Sequence, residues 1–274
     1  MRHYPLITYL LTLHLLTAGL SRPDIARAES KRWKTQKALP GVIVGVSTLL
    51  IGNQAEKLSG PDRTLFSAPL GPDRFFRDLF FKPGKETNWL DASGTYYSVF
   101  GGLAGVSVLS AASFTDWPSF AYDVLAYSSG AAFAGGLTRL IKGLVSRPRP
   151  YVYYSTRVPA HDPEEDYRSF VSGHASMAFY AAAFLYDRLH REQIRLPRWL
   201  TGTALFGWAA YVAYSRIEID QHYFTDVAAG ALLGVAAARL TVRWFYGRPE
   251  PASPQQPFLG LAAGPLRFSM VFTW

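Results

Sequence analysis

The chain has 274 residues, of which 49% are apolar and 15% aromatic, enough to bury one large core. It has no cysteine, so disulfides and thiolate metal sites are excluded. The net charge of +8 is moderate, and the basic residues are scattered, without a basic tail or a nucleic-acid fold signature. This composition favours an anionic substrate or a membrane surface as the partner and argues against nucleic acid.

Residues 1–28 have the pattern of a secretory signal peptide. A polar start at residues 2–3 precedes an apolar run over residues 6–20, and residues 26–28 form a small-x-small cleavage site. An uncleaved membrane anchor is the alternative, but the apolar run is short for a membrane span. We therefore expect an exported protein, located in the periplasm or cell envelope, whose mature chain begins near Glu29.

Residues 29–94 are expected to form an N-terminal region of helices and loops. A short apolar run rich in Gly and Val, residues 39–51, predicts its first helix. Residues 53–94 are polar and rich in Pro, Gly and Asp, and they contain a cluster of aromatic residues. The cluster consists of Phe75, Phe76, Phe80 and Phe81. Its spacing predicts a short amphipathic helix on the core or on a lipid surface, and we favour the core.

The core domain is expected to span residues 95–247. Five apolar runs with a helical pattern cover residues 96–114, 120–145, 172–190, 200–215 and 221–246. Together with residues 39–51 they predict an all-α bundle of about six helices. Small residues that let helices pack closely support this prediction. They are Gly101, Gly102, Gly105, Gly135, Gly136, Gly230 and Gly234.

Two patterns bear on whether these helices span a membrane. Several runs are long enough, but charged residues interrupt them and the mean hydropathy of the chain is only +0.04. The positive-inside rule places the basic residues 31–37 and the arginines between residues 188 and 198 in the cytoplasm, whereas a cleaved signal leaves residues 31–37 outside. We favour a helical domain that is exported whole. The alternatives are association with the membrane surface and embedding in the membrane.

Residues 248–274 are expected to form a linker and a strand-like tail. Residues 248–257 contain Pro and Gln and are typical of a linker. Apolar residues then alternate from Leu266 to Trp274, which predicts a single strand. We favour a strand that docks on the domain, and the alternative is a terminus like that of an outer-membrane strand.

Two short motifs carry residue types that can bind a phosphate. In the first, Lys142 and Arg149 close a predicted helix, and the Arg-Pro pairs hold the guanidinium groups in place. In the second, Ser172 is suited to be the N-cap of the next helix, and Gly173 lets the backbone come close to a ligand. The free amides of that helix start favour an anion, beside which His174 can give or take a proton.

A third motif supplies a nucleophile and its partner. His222 and Asp226 are four residues apart, which places them on one face of a helix. A carboxylate there can hold one imidazole nitrogen and leave the other free to attack or to shuttle a proton. Arg216, in the turn before this predicted helix, can bring its positively charged guanidinium to the same place.

Together the three motifs resemble the signature of the type 2 phosphatidic acid phosphatase (PAP2) and vanadium haloperoxidase superfamily. The matching pattern is Lys142-x6-Arg149-Pro150, then Ser172-Gly173-His174, then Ser215-Arg216-x5-His222-x3-Asp226. The likeness covers about residues 95–246. The family usually has Pro where this chain has Val171, which loosens the loop but removes no functional group. Arg147 is an additional arginine whose role the motif leaves open.

The resemblance implies a PAP2-like helical fold and metal-independent phosphatase chemistry without a cofactor. His222 would attack phosphorus and form a phosphohistidine, Asp226 would orient it, and His174 would protonate the leaving alcohol and then activate water. The phosphate ligands would be Lys142, Arg149, Ser172, Gly173 and Arg216. One loop contains the possible metal ligands His161, Asp162, Glu164, Glu165 and Asp166. We interpret this loop as a solvated lid.

The family's substrates include phosphatidic acid, polyprenyl diphosphates, lipid A phosphates and small soluble phosphomonoesters. The aromatic clusters and the Gly/Ala-rich helices favour a lipid-linked substrate. One alternative is a haloperoxidase that binds vanadate at the same phosphate ligands, but the compact chain argues against it. The other alternative is a phospholipid-binding envelope protein without catalytic activity, but the presence of all the proposed catalytic groups argues against it.

Overall fold

The computed structural model describes residues 28–85, 89–112, 117–156, 163–191 and 196–247. Within these ranges there are seven helices of ten or more residues and no strand. The helices are α1 (Ala28–Glu56), α2 (Gly71–Phe80), α3 (Trp89–Ala112), α4 (Trp117–Val145), α5 (Gly173–Arg191), α6 (Arg198–Glu218) and α7 (Phe224–Tyr246). Single helical turns lie at Pro61–Arg63, Pro150–Tyr153 and Glu165–Tyr167. The predicted all-α class is confirmed.

Two predictions concern parts of the chain that lie outside the described residues. The signal peptide falls almost wholly on residues 1–27, and the strand-like tail falls on residues 248–274. Signal cleavage, export and the docking of the tail therefore stay predictions. The helix predicted over residues 39–51 is observed, but it is part of the longer α1, which runs through Pro40. A proline inside a helix removes one backbone hydrogen bond. Helix α1 nevertheless continues through Pro40, and it packs along α4.

Helices α1 and α4 pack closely because glycines face the backbone of the opposite helix. A Cβ atom on Gly52 or Gly136 would overlap the backbone of the other helix, and one on Gly143 would overlap the carbonyl of Ala55. Among the glycines predicted to mediate packing, Gly102, Gly105, Gly136, Gly230 and Gly234 have such close neighbours. Gly101 has open space where a side chain would point. The small residues therefore act at particular helix crossings.

The core of the bundle is centred on α5, which packs against α3, α4, α6 and α7. Its Tyr180 and Phe184 are buried against Tyr127 of α4, with ring centroids 5.2–6.0 Å apart. The Tyr180 hydroxyl donates a hydrogen bond to the Tyr127 carbonyl at 2.7 Å. This aromatic layer fixes α5 and α4 relative to one another.

The predicted amphipathic helix is observed as α2, which ends one residue before Phe81. Phe76 stacks on Phe224 with 3.9 Å between ring centroids, and Phe80 packs edge-to-face with Tyr214 with 5.2 Å between ring centroids. Packing on the core is thus confirmed for these two rings. Phe75 is 63% exposed and lies on the outer side of α2.

Two of the described helices are long and apolar enough to cross a membrane by length and composition. They are residues Ala38–Glu56 of α1 and all of α7. Only 11% of that part of α1 is buried, with Leu39 64% and Ile51 58% accessible, whereas 44% of α7 is buried. The outer face of α1 is therefore an apolar surface on which association with a membrane is physically reasonable.

Substitution of Gly136 by Ala is expected to lower the free energy of unfolding by about 1–3 kcal/mol, because the added methyl group would force α1 and α4 apart. Gly101→Ala is the matched control. It adds the same methyl group to a helix interior with open space, and it should raise the free energy of unfolding by roughly 0.5–1 kcal/mol. Denaturant unfolding followed by circular dichroism checks both. Equal stability of the two variants would contradict the close contact at Gly136.

Candidate active site

Three segments of the chain meet at one end of the bundle. They are the end of α4 with the loop after it, the start of α5, and the connection from α6 to α7. The Ser172 N–H donates to the Asp226 carbonyl at 3.0 Å, which ties the second motif to the third. A Cβ atom on Gly230 would overlap the Ser172 carbonyl, so the absence of a side chain there permits this approach. All three predicted motifs therefore contribute to one site.

The imidazole of His222 lies among cations. The Arg149 NH1 atom is 3.4 Å from His222 Nε2, and the Arg216 NH1 atom is 3.3 Å from Nε2 of His174. Burial, followed by the positive charges of Arg149, Lys142 and Arg216, holds the pKa of His222 well below its usual range. The Ser169 backbone partly opposes the shift. His222 is consequently neutral at physiological pH, with Nε2 towards the cations.

The relation between His222 and Asp226 differs from the expected pair on one helix face. Helix α7 begins at Phe224, so His222 precedes the helix and Asp226 is its third residue. The distance from His222 Nδ1 to Asp226 Oδ2 is 3.8 Å, which is longer than a hydrogen bond. Asp226 Oδ2 instead accepts the Ser169 hydroxyl at 2.5 Å and the Tyr223 N–H at 3.0 Å. The Asp226 carboxylate thus accepts a hydrogen bond at the start of α7 and also faces the His222 imidazole.

Ser172 and Gly173 occupy the start of α5 as predicted. The helix begins at Gly173, and the Ser172 hydroxyl accepts the Ala175 N–H at 3.4 Å, which is the geometry of an N-cap. Ser172 is fully buried. A Cβ on Gly173 would make an ordinary contact of 3.6 Å with Thr138, so packing alone does not require glycine here. Phosphate binding by these two residues stays a prediction.

Lys142 is buried in the last turn of α4, and its Nζ donates to the Arg168 carbonyl at 2.8 Å. Burial, followed by the nearby charge of Arg149, lowers the pKa of Lys142 to about 8. The amine is therefore mostly protonated at neutral pH and loses its charge on the alkaline side. Its position beside Arg149 and His222 agrees with a phosphate-binding role.

Glu165 forms an ion pair with Arg149 through the NH2 atom of the guanidinium, and its backbone carbonyl accepts from Arg149 Nε at 2.9 Å. The other oxygen of the carboxylate accepts from Arg168 at 3.3 Å. Burial raises the pKa of Glu165, but Arg149, Lys142 and Arg168 together outweigh it and lower the pKa below its usual value. The Glu165 carboxylate thus occupies one edge of the Arg149 guanidinium, the group predicted to bind phosphate.

The loop before the second motif is therefore less solvated than predicted. Asp166 is only 4% exposed and accepts the Tyr151 hydroxyl at 2.6 Å. The other acidic side chains, of Glu164 and Glu165, pair with arginines because the cation-rich site attracts them. Within the part of the chain that the structure describes, no three His, Asp or Glu residues form a metal-binding group. His161 and Asp162 lie outside that part.

Arg147 and Asp73 are site residues that the motifs did not identify. Arg147 has a fully buried side chain, and its guanidinium pairs with Asp73 at 2.7 Å and with Asp226 at 2.6 Å. The Arg-Pro-Arg-Pro sequence gave a reason to note Arg147. Asp73 carries no comparable signal, because its partner lies 74 residues further along the chain.

A second link from α2 supports the third motif. Arg77 donates to both carboxylate oxygens of Asp220, at 2.7 and 2.8 Å. Asp220 has a φ of 60°, in the left-handed region, and the Thr156 hydroxyl also donates to its carboxylate at 2.6 Å. The tight turn that leads into His222 is therefore held by an ion pair from the N-terminal region.

These features define an all-α protein with a buried, cation-lined histidine site suited to an anion. Residues 123–250 match the model of the PAP2 superfamily. Over these residues the match confirms the resemblance to the superfamily that was seen in the motifs.

Several known proteins are similar to this chain. Phospholipid phosphatase 2 of Bos taurus is 30% identical over 174 residues, which are 54% of this chain and 61% of that protein. Probable diacylglycerol pyrophosphate phosphatase 1 of Schizosaccharomyces pombe is 29% identical over 132 residues, 39% of this chain and 47% of that protein. The chain thus spans less than two thirds of these relatives. The crystal structure of Aquifex aeolicus LpxE aligns with a TM-score of 0.40 and 18% identity, over 65% of this chain and 97% of that one.

The affinity of the protein for inorganic phosphate is expected to fall above pH 8, by about tenfold per pH unit, because Lys142 with a pKa of about 8 then loses its proton and its charge. Calorimetric titration with orthophosphate from about pH 7 to about pH 10 measures this. Lys142→Arg should retain affinity to higher pH, because a guanidinium stays protonated throughout this range. The same alkaline loss in parent and variant would exclude Lys142 as its cause.

Substitution of Glu165 by Gln is expected to strengthen orthophosphate binding, by about fivefold at most, since a half-exposed ion pair contributes roughly 1 kcal/mol or less. The physical reason is that the carboxylate competes with the anion for Arg149. Glu164→Gln is the matched control, because Glu164 pairs with Arg168 instead. Weaker binding in Glu165→Gln would mean that Glu165 holds Arg149 in place rather than competing for it.

Proposed function

We propose that this protein is a phosphatase that hydrolyses a phosphomonoester or diphosphate through a phosphohistidine intermediate. The observation that carries the proposal is the position of His222 Nε2, 3.4 Å from the Arg149 guanidinium in a buried site. Burial and the surrounding cations together keep the imidazole neutral, and the cations also attract an anion. A neutral nucleophile therefore faces the place where a phosphate would bind.

In the first step, the lone pair of His222 Nε2 attacks phosphorus while the bond from phosphorus to the ester oxygen breaks. Protonated His174 gives its proton to the departing oxygen, which leaves as an alcohol, or as a phosphate from a diphosphate. Lys142, Arg149 and Arg216 stabilise the charge on the transferring phosphoryl group.

In the second step, His174, now neutral, removes a proton from water as the water oxygen attacks phosphorus. The phosphorus–nitrogen bond breaks, His222 returns to its neutral form, and orthophosphate leaves. Asp226 stabilises the positive charge that His222 carries while it is phosphorylated. The 3.8 Å separation leaves room for a small approach of the two groups as that charge develops.

The substrate that we propose is a phosphorylated lipid, such as phosphatidic acid, a polyprenyl diphosphate or a lipid A phosphate. Two relatives in different kingdoms are named for phospholipid and diacylglycerol pyrophosphate phosphatases, which supports the lipid class. The exposed apolar face of α1 supports action at a membrane surface. The catalytic unit would comprise residues 95–247, and the proposed location is the periplasm or cell envelope.

Phosphate release from phosphatidic acid, undecaprenyl diphosphate and p-nitrophenyl phosphate, in the presence of EDTA, tests the proposal. His222→Ala should lower kcat by about a thousandfold or more, since the nucleophile is lost, and His174→Ala by about 10²- to 10⁴-fold, since general acid–base catalysis is lost. The parent should also yield a phosphoenzyme that is labile in acid and stable in base, as a phosphohistidine is.

His190→Ala is the matched control, because His190 lies at the opposite end of α5 from His174. It should retain the kcat of the parent. Release that survives EDTA and disappears in His222→Ala supports the proposal. A folded parent protein that releases no phosphate from any of the substrates would contradict it.

A further inference from the structure

Asp73 lies where the N-termini of α2 and α7 meet, and its side chain is fully buried. It is the third residue of α2, and its Oδ2 accepts the Leu70 N–H at 2.9 Å, which caps its own helix. Its Oδ1 accepts the Thr225 N–H of α7 at 2.8 Å. One carboxylate therefore binds the free amides of two helix starts. It joins a helix outside the superfamily segment 123–250 to the helix that carries Asp226.

The same carboxylate is connected to Asp226 through Arg147. The NH2 atom of Arg147 donates to Asp73 Oδ2 at 2.7 Å, and NH1 donates to Asp226 Oδ1 at 2.6 Å. The Thr225 hydroxyl closes this network, since it accepts from Arg147 at 2.9 Å and donates to Asp73 at 3.1 Å. The guanidinium also lies 3.9 Å from the centre of the Tyr223 ring. Because the Arg147 guanidinium is planar and rigid, the position of the Asp73 carboxylate constrains that of the Asp226 carboxylate.

Small displacements in this network matter to His222. Its Nδ1 is 3.8 Å from Asp226 Oδ2, so a shift of about 1 Å decides whether the two groups form a hydrogen bond. A neutral side chain at position 73 would leave Arg147 pulled by Asp226 alone. The guanidinium would then be free to shift towards Asp226 and to move its carboxylate relative to the imidazole.

We propose that Asp73 is a positioning residue for the nucleophile: acting through Arg147 and Asp226, it places His222 for attack on phosphorus. The inference deepens the proposed function and rests on it. The contacts of Asp73 are with Arg147, Thr225 and Leu70, so they are separate from the proposed phosphate ligands. Loss of the carboxylate should therefore impair the chemical step while orthophosphate still binds.

The binding of two anions separates phosphate binding from the positioning of His222, without requiring turnover. Orthophosphate contacts only the proposed phosphate ligands, through its four oxygens. Orthovanadate gains additional affinity because its vanadium takes His222 as a fifth ligand, in the geometry of the transition state. In Asp73→Asn, the Kd for vanadate should rise by about tenfold or more and the Kd for phosphate should change by less than about twofold. Asp78→Asn, the same change at an exposed position of α2, should alter neither affinity.

Kinetics of the full chain supply a second readout. Asp73→Asn should lower kcat by about 10- to 100-fold with little change in KM, as expected for a misplaced catalytic group. If the effect passes through Asp226, then Asp73→Asn should have little further effect on kcat in an Asp226→Asn background. Asp73→Glu, which keeps the charge, should recover part of the kcat that Asp73→Asn loses.

Equal weakening of phosphate and vanadate binding, or additive losses of kcat in the double variant, would overturn the proposal and leave Asp73 a support of the fold. A parent that releases no phosphate, but whose vanadate affinity depends selectively on Asp73, would sink the proposed function and leave the positioning role standing. If Asp73→Asn does not fold, Arg147→Lys replaces it, because it keeps the buried charge but removes the planar guanidinium that joins Asp73 to Asp226. Unchanged vanadate affinity in Arg147→Lys would then overturn the proposal.

Discussion

A fully buried guanidinium, that of Arg147, joins the parts of this protein that are distant in sequence. An unpaired charge in such a position would cost several kcal/mol, so its two carboxylate partners are a condition of the fold. One partner, Asp226, belongs to the α7 end of the site, and the other, Asp73, belongs to α2. The ion network therefore makes the N-terminal region part of the structure that surrounds His222, although the recognisable motifs begin only at Lys142.

The helix packing explains how charged groups can be gathered at one end of the bundle. Glycines at the crossings bring backbones together, as at Gly136 against α1 and at Gly230 against the start of α5. Close contact removes the space that side chains would need and lets helix ends approach one another. The end of α4 and the starts of α5 and α7 then present basic side chains and backbone amides to a common volume.

The concentration of positive charge has two consequences for chemistry. Burial is the larger cause of both pKa shifts, and the positive charge adds to it: the pKa of His222 is lowered, so the imidazole is neutral, and the pKa of Lys142 is lowered to about 8, so alkaline pH removes its charge. The positive charge also draws in carboxylates. Glu165 pairs with Arg149, and this explains why an acidic loop lies close to a cation-rich site.

The sequence by itself determined the fold class and predicted most of the candidate site. Helical periodicity gave the helices, because one apolar face is enough to identify them, and the spacing of the motifs predicted Lys142, His174 and His222 as site residues. The extent of α1 beyond residues 39–51 was missed, because the polar residues before Pro40 carry no apolar pattern. Signal cleavage, the tail and the substrate stay predictions.

Only the tertiary structure decided how Asp226 is held, and why Arg147 and Asp73 matter. Asp226 was expected on one helix face with His222, but α7 begins after His222, so the carboxylate turns back to the start of its own helix. The pairing of Asp73 with Arg147 joins residues far apart in the chain. Periodicity and motif spacing report local order alone, whereas the partner of a buried charge is chosen by the way the whole chain packs.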